Sequence, residues 1–330
     1  MKVLFIGGTG NISTSVSKLA LKQGFDLYLL NRGTRPVNIP GAKTIKGDIS
    51  IPEKVNALLK EHTWDVVVNW IAFTEDDINR DIDLFRGKTK QYIFISSASV
   101  YQKPLLHPIV TESTPLANPY WQYSRDKIAC EERLNQAYRD EAFPITIVRP
   151  SHTYDTIIPA VIGGGSEYTI IDRLKRGQKV IVHGDGTSLW TVTHAEDFAK
   201  GLVGLLGHQQ AIGHAFHITS DESLTWNQIY MTMANAVGVE AKIVHISSDF
   251  ICQFDETRVG NLLGDKTTSV IFDNTKIKTF VPDFKATIPF NVGIKRTLDW
   301  FEAKPDRQVI KPETHKHMDR IIQAYEKKFN

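Results

Sequence analysis

Tyr123 and Lys127 lie four residues apart in the segment YSRDKIACEERL, whose pattern predicts a helix. Side chains at this spacing project from one face of a helix. A lysine ammonium about 4 Å from a tyrosine favours the phenolate by roughly 4 kcal/mol at an effective dielectric of about 20, although burial opposes part of this effect. The pair therefore predicts a tyrosine of lowered pKa that exchanges protons with a hydroxyl or a carbonyl. Any amphipathic helix can carry the same spacing by chance, so other segments must supply the context.

The first residues have the pattern of a nucleotide-binding turn. An apolar run at 3–6 is followed by a glycine cluster and then by apolar positions of helical period, which predicts a strand, a tight turn and a helix. Gly8, Gly10 and Ser13 fit G-x-G-x-x-G with serine at the last position, and Gly7, Gly10 and Ser13 fit G-x-x-G-x-x-G equally well. Such a turn lets the backbone approach a pyrophosphate, whose charge is stabilised by the amides of the helix N-terminus.

The second predicted strand, at 27–30, ends in Asn31 and Arg32. An acidic residue at this place would bond an adenosine 2′-hydroxyl, whereas a guanidinium pairs with a 2′-phosphate. The sequence therefore favours NADP over NAD, unless Arg32 is only a solvated surface residue. Asp48, which follows the third predicted strand, is placed to accept a hydrogen bond from the adenine amino group.

Serines follow another predicted strand, at 92–95 in the segment QYIFISSASVY. Ser97 lies at the carboxyl end of this strand, on the edge where ligands bind in open α/β sheets. Serines after a strand are also ordinary turn formers. Ser97 is therefore a candidate to share a crevice with Tyr123.

The segments GGTGNIS, DVVVNWIA, SSASVY, YSRDK and ITIVRPSHTY resemble, in order and spacing, the extended short-chain dehydrogenase/reductase superfamily and its NAD-dependent epimerase/dehydratase family. The resemblance implies that Ser97 polarises the substrate, that Tyr123 is the general acid and base, and that Lys127 bonds the nicotinamide ribose and lowers the tyrosine pKa. Lys127 is thus a cofactor residue as well. The other cofactor contacts that it implies come from Gly7, Gly10, Asn11, Ile12, Asn31, Arg32, Asp48, Ile49 and Ala72.

Two positions depart from the family's pattern. His152 stands where the family has an asparagine that helps to hold a substrate diphosphate, and Trp190 stands where it has an arginine. Losing one charge-assisted contact typically costs about 1.5–3 kcal/mol, which argues against a UDP- or dTDP-sugar. His152 and Trp190, together with Ser99, are candidates to line a pocket for a smaller or less charged molecule. Alternatively, His152 and Trp190 are packing residues.

The predicted fold is α/β, a Rossmann-type doubly wound parallel sheet with a smaller C-terminal substrate lobe, because strands and helices alternate up to about Arg149. Residues 1–150, joined again by about 190–220, are predicted to form the NAD(P)-binding domain, and 151–189 with 221–330 the substrate lobe. The chain of 330 residues, with 42% hydrophobic content, is long enough for a large core.

Composition narrows the function further. A net charge of +2, without basic runs that carry interleaved aromatic residues, argues against nucleic-acid partners. Cys130 and Cys252 cannot make a disulfide framework, so we expect a cytoplasmic location. The N-terminal apolar run is too short for a signal peptide or membrane anchor, and no residue cluster has metal-ligand spacing. We therefore expect neither a membrane association nor a metal.

Three functions are considered. The first is an NAD(P)-dependent epimerase/dehydratase-type oxidoreductase, which acts on a hydroxyl or carbonyl carbon of a sugar-like or other small substrate. The second is an NADPH-dependent reductase or dehydrogenase of a small carbonyl compound, which Arg32 favours. The third is a non-enzymatic nucleotide- or RNA-binding regulatory protein, although such a protein has no need of Ser97, Tyr123 and Lys127 together.

The chain is expected to form a homodimer. In the superfamily, the helix that bears the tyrosine and the preceding long helix, here near 76–85, commonly pair with their copies across a two-fold axis. Ile82, Ile128 and Leu134 are predicted to supply the apolar contact.

Overall fold

The computed structural model describes residues 1–34 and 37–329 of the chain. The strands are β1 (Lys2–Ile6), β2 (Asp26–Asn31), β3 (Lys43–Lys46), β4 (Val66–Asn69), β5 (Tyr92–Ile95), β6 (Ile109–Val110), β7 (Ile145–Pro150), β8 (His152–Tyr154), β9 (Lys179–His183), β10 (Leu189–Trp190), β11 (Val192–His194), β12 (Ala215–Ile218), β13 (Leu224–Thr225), β14 (Lys242–Ile246) and β15 (Ile271–Phe272). The helices are α1 (Ser13–Lys22), α2 (Pro52–Leu59), α3 (Glu75–Phe85), α4 (Gln122–Glu141), α5 (Thr169–Lys175), α6 (Ala195–Leu205), α7 (Trp226–Ala236), α8 (Ser248–Phe254), α9 (Arg258–Asn261), α10 (Thr275–Phe280), α11 (Phe290–Glu302) and α12 (Pro312–Phe329). A π-helical turn spans Leu262–Lys266.

Seven of these strands form a parallel sheet in the order β3-β2-β1-β4-β5-β7-β12. Successive side chains of a strand point to opposite faces, so Val3 and Phe5 enter one core cluster while Leu4 and Ile6 enter another. Because both faces are covered, the inner strands are almost wholly apolar, as in VVVN for β4 and YIFI for β5. The predicted doubly wound parallel sheet is confirmed. The strand order reverses between β1 and β4, and ligands bind at such a point.

The chain leaves the sheet after β7 and returns to it with β12, which pairs in parallel with β7. In between, α6 packs against α1 on one face of the sheet. The predicted domain boundaries, including the return of about 190–220 to the nucleotide-binding domain, stay a prediction.

A third core cluster lies away from the sheet and joins α5, β9, α7 and α12. Trp190 and Trp226 are both buried in it, with ring centroids 5.8 Å apart. The terminal helix α12 buries Met318 and Ile321 in the same cluster, as expected of an amphipathic helix. This cluster forms the core of the smaller lobe.

Two of the residues predicted to form a dimer contact are not available for it. Ile82 of α3 and Leu134 of α4 are fully buried in the protein's own core, between the helices and the sheet, so this part of the prediction is wrong. Ile128 is only half-buried. The homodimer itself stays a prediction. Within 1–34 and 37–329, no helix is long and apolar enough to cross a membrane.

Candidate active site

Helix α4 presents Tyr123 and Lys127 on one face, next to the carboxyl ends of β4 and β5. Lys127 is buried, and its Nζ donates to the carbonyl oxygen of Ala72 at 2.7 Å and to that of Ile95 at 2.9 Å. The same Nζ lies 5.8 Å from the centroid of the Tyr123 ring. Lys127 therefore fastens the helix to the carboxyl end of β5 and to the loop after β4, where the backbone carbonyl of Ala72 accepts the hydrogen bond.

Burial governs the ionisation of both side chains. It lowers the pKa of Lys127 to about 8. It raises the pKa of Tyr123 above its ordinary value, while a hydrogen bond from Ser97 acts in the opposite direction. The expected lowering of the tyrosine pKa by Lys127 is thus reversed, because the phenol is desolvated and the ammonium is directed at two carbonyl oxygens.

Ser97 belongs to a chain of hydroxyl groups. Its Oγ lies 2.9 Å from the Oγ of Ser99 and accepts a hydrogen bond from the Ser99 N–H at 3.2 Å. Ser124 on α4 donates to the Ser99 Oγ at 2.8 Å, and Asn118 donates to the Ser99 carbonyl oxygen at 2.8 Å. Ser99 therefore links Ser97 to helix α4, in addition to lining the cavity described below.

A buried ion pair holds the next turn of α4. Glu131 lies four residues beyond Lys127, and its carboxylate accepts from Arg149 at 2.6 and 3.0 Å and from the hydroxyl of Ser96 at 2.5 Å. Arg149 also lies over the ring of Tyr101, 4.9 Å from its centroid. Since Ser96 directly precedes Ser97, these contacts position the helix relative to the strand end that carries the candidate catalytic serine.

Ser97 and Tyr123 line one cavity of about 250 Å³. Its other wall residues are Ala98, Ser99, Trp121, Pro150, Ser151, His152, Asp265 and Lys266. The structure thus brings together the predicted residues Ser97, Ser99, Tyr123 and His152.

The two residues that depart from the family's pattern have different environments. His152 lies on the cavity wall, where burial lowers its pKa to about 3 and Lys266 acts in the same direction. It is therefore a neutral hydrogen-bonding group at physiological pH. Trp190 is not on the wall, because it is buried against Trp226 in the smaller lobe. Trp190 is therefore a packing residue, whereas His152 lines the pocket.

Six wall residues are not predicted from the sequence: Ala98, Pro150, Ser151, Trp121, Asp265 and Lys266. The last two belong to the π-helical turn, a rare geometry that occurs often at functional sites. The turn and the helix before it pack closely on Trp121, and a Cβ at Gly260 would overlap with the indole. The spacing of Gly260 and Gly264 in GNLLG is the sequence signal for this close approach.

The N-terminal turn has the backbone geometry that its glycines predict. Gly7 and Gly8 have φ values of +98° and +96°, and a Cβ on Gly8 would lie 2.7 Å from Cδ2 of Leu29. The Gly10 N–H donates to the hydroxyl of Ser13 at 2.8 Å, so the serine in the last motif position caps the turn. Left-handed glycines shortly before a helix N-terminus are the type of turn that approaches a pyrophosphate in dinucleotide-binding folds.

The next two residues of the turn have structural contacts. The Asn11 side-chain amide donates to the Thr153 carbonyl at 3.0 Å and accepts from the Thr156 N–H at 3.1 Å, which ties the turn to the segment after β7. Ile12 is the residue that directly precedes α1, and it is partly buried.

At the adenosine end of the predicted site, Arg32 is an exposed cation, and the side chain of Asn31 accepts a hydrogen bond from the Gly33 N–H at 2.9 Å. The side chain of Asp48 accepts two hydrogen bonds from Ser50, which hold the pKa of Asp48 below its usual value, and Arg32 acts more weakly in the same direction. The following residue, Ile49, is buried and is available for an apolar contact only.

Comparison with known proteins agrees with this fold and geometry. The NAD dependent epimerase/dehydratase family matches residues 3–219, so the chain belongs to this family. It is accordingly an NAD(P)-dependent enzyme of the extended short-chain dehydrogenase/reductase type, which confirms the resemblance and the class of function that it implied.

Individual relatives are distant. The chain is 23% identical to 2′-dehydrokanamycin reductase of Streptomyces kanamyceticus, over 77% of this chain and 71% of the relative. It is 26% identical to the chloroplast stem-loop binding protein of 41 kDa b of Arabidopsis thaliana, over 74% of this chain and 65% of that protein. The structure of dTDP-glucose 4,6-dehydratase from Bacillus anthracis in complex with NAD matches with a TM-score of 0.73 and 20% identity, over 93% of this chain and 98% of the other. This last likeness shows a shared fold.

Proposed function

We propose that Ser97, Tyr123 and Lys127 carry out reversible oxidation of a hydroxyl-bearing carbon in a small polar substrate. The observation that supports this assignment best is that Ser97 and Tyr123 line one cavity while Lys127 lies on the same helix face, buried beside the tyrosine ring. The cavity of about 250 Å³ is smaller than the roughly 300–1,000 Å³ typical of small-molecule sites, which favours a compact substrate.

In this proposal the Tyr123 hydroxyl moves the proton. Since burial raises its pKa, the phenol keeps its proton at neutral pH and can donate it to a carbonyl oxygen. In the opposite direction the phenolate takes the proton of a hydroxyl, and the Ser97 hydroxyl stabilises that phenolate. A bound nicotinamide would accept the hydride in oxidation and donate it in reduction. The Lys127 ammonium would bond the nicotinamide ribose and keep a positive charge beside the tyrosine ring.

We propose NADP as the preferred cofactor. The support comes from Arg32, which is exposed next to the end of β2, and from Asn31, which brings no negative charge. A bidentate contact between a guanidinium and a 2′-phosphate is worth about 1.5–3 kcal/mol. The glycine turn, Asp48 and the carbonyl of Ala72 would complete the cofactor site.

A net reductase is the second candidate, because a tyrosine of raised pKa suits the protonation of a carbonyl oxygen near neutral pH. One measurement separates the candidates: the nucleotide released when the purified protein is denatured. Tightly held oxidised cofactor supports an epimerase or dehydratase that regenerates its cofactor internally, whereas exchangeable NADPH supports a reductase. The name of the Arabidopsis thaliana relative says that it binds a stem-loop, but Lys127 and Lys266 at the candidate site are buried and out of reach of a polymer backbone.

Tyr123→Phe tests the assignment. With a panel of small hydroxy and carbonyl compounds, followed through nicotinamide absorbance, we expect the variant to lose about 10²- to 10⁴-fold in turnover. Its cofactor affinity should stay unchanged, because the substitution removes little volume. Tyr120→Phe is the matched control, since Tyr120 is exposed and does not line the cavity. Turnover at the wild-type level in Tyr123→Phe would refute the mechanism.

A further inference from the structure

The cavity wall formed by the π-helical turn lies beside two buried lysines. Lys266 lines the cavity and is only 8% exposed, and Lys103 lies behind it with 4% exposure. The two ammonium groups each lie 5.8 Å from the centroid of the Trp190 ring. Contact with an aromatic face favours a cation, whereas burial lowers the pKa of Lys103 and the Asp265 carboxylate acts in the opposite direction.

Among residues 1–34 and 37–329, one carboxylate, that of Asp265, accompanies these two cations. Asp265 pairs with Lys266 at 2.8 Å, whereas Lys103 donates to the backbone carbonyl of Asp265 at 3.2 Å. The charged groups that act on both Lys103 and His152 are Asp265 and Lys266, and His152 itself is neutral. Buried charges in proteins are normally paired, so a protonated Lys103 lacks a carboxylate of its own within the described residues.

Building on the proposed function, we propose that the substrate bears a compact acidic group, a carboxylate or a phosphate, which Lys266 binds and whose charge Lys103 balances. The group would lie on the wall formed by the π-helical turn, while the reacting carbon lies at Tyr123. Asp265, Lys266, Tyr123 and His152 line the same small cavity, so a single small molecule can contact all four. The burial of both lysines selects a compact anion rather than an extended chain of phosphates.

Anion binding can be measured without knowing the substrate. We would follow the thermal unfolding midpoint of the full chain while inorganic phosphate or lactate replaces chloride at constant ionic strength, with glycerol as a neutral probe. A ligand that binds the folded state raises the midpoint with concentration. A response to phosphate alone assigns a phosphate group, and a response to lactate assigns a carboxylate. A wild-type protein that responds to neither would overturn the proposal.

Variants test both the location of the anion site and the sign of the charge that it binds. Lys266→Met and the milder Lys266→Gln should weaken anion binding by at least about tenfold. Asp265→Asn should tighten it, because the competing carboxylate is gone. This gain is unexpected for a residue with a merely structural role. Lys276→Met is the control, since the Lys276 ammonium also faces an aromatic ring, Phe216, at 5.0 Å but does not line the cavity.

The outcomes separate this inference from the proposed catalytic mechanism. Equal anion affinity in wild type, Lys266→Gln and Asp265→Asn would overturn the anion site and leave the Tyr123→Phe result intact. Conversely, anion binding that persists in Tyr123→Phe supports the site, whatever that variant does to turnover.

Discussion

Glu131→Gln should destabilise the protein strongly, because it leaves a buried guanidinium without its carboxylate. In the ion pair the Arg149 and Glu131 side chains are 5% and 0% exposed. Removing one partner of such a pair typically costs about 3–5 kcal/mol. We expect the lower end, about 3 kcal/mol, because glutamine keeps an acceptor for Ser96 and because Arg149 retains its contacts with the Tyr101 ring and the Glu112 carbonyl.

The measurement is urea unfolding followed by both circular dichroism and tryptophan fluorescence, so that coincident curves establish a single transition. Arg296→Gln is the control, since the Arg296–Glu196 pair is 50% and 57% exposed and should contribute less than about 1 kcal/mol. The double variant Glu131→Gln with Arg149→Met should be less destabilised than Glu131→Gln alone, because it removes the unpaired charge. A loss in Glu131→Gln no larger than in Arg296→Gln would refute the reasoning.

Two further predictions concern the site. Ser97→Ala removes a hydrogen bond that lowers the pKa of Tyr123, so that pKa should rise further; the alkaline limb of carbonyl reduction, which needs the protonated phenol, should move to higher pH in a pH–rate profile, and an unmoved or lowered limb would contradict this. Asn31→Asp with Arg32→Leu should reverse the preference from NADP(H) to NAD(H), because the new carboxylate would bond a free 2′-hydroxyl and repel a phosphate; titration of both cofactors checks this, and equal affinities in the wild type would show that Arg32 is only a surface residue.

The sequence predicts the sheet and the glycine turn well because both depend on local patterns. Apolar runs such as VVVN and YIFI are long enough to specify buried parallel strands, and the φ values of Gly7 and Gly8 follow from their residue type. The four-residue spacing likewise places Tyr123 and Lys127 on one helix face. Each of these features is determined within a few residues.

The rest depends on contacts between distant segments. The predicted lowering of the Tyr123 pKa is wrong, because the four-residue spacing carries no information about burial or about the carbonyl oxygens that accept hydrogen bonds from Lys127. Ile82 and Leu134 are apolar, as residues of an interface often are, but both pack in the protein's own core. Lys266 reaches the cavity through the packing of the π-helical turn on Trp121. The spacing of Gly260 and Gly264 permits a close approach, but it does not indicate which distant residue the turn contacts.

Local patterns determine the catalytic helix, whereas contacts between distant segments determine the cavity wall. Membership in the family therefore specifies the type of reaction but not the substrate. Tyr123 and Lys127 are held by a helix that is fastened to the sheet through the carbonyls of β5 and the loop after β4. Asp265 and Lys266 come instead from a turn outside the sheet, whose side chains can change without disturbing those contacts. We therefore expect the side chains of this turn to select the charge of the substrate. The change in anion binding in Asp265→Asn and Lys266→Gln tests this expectation.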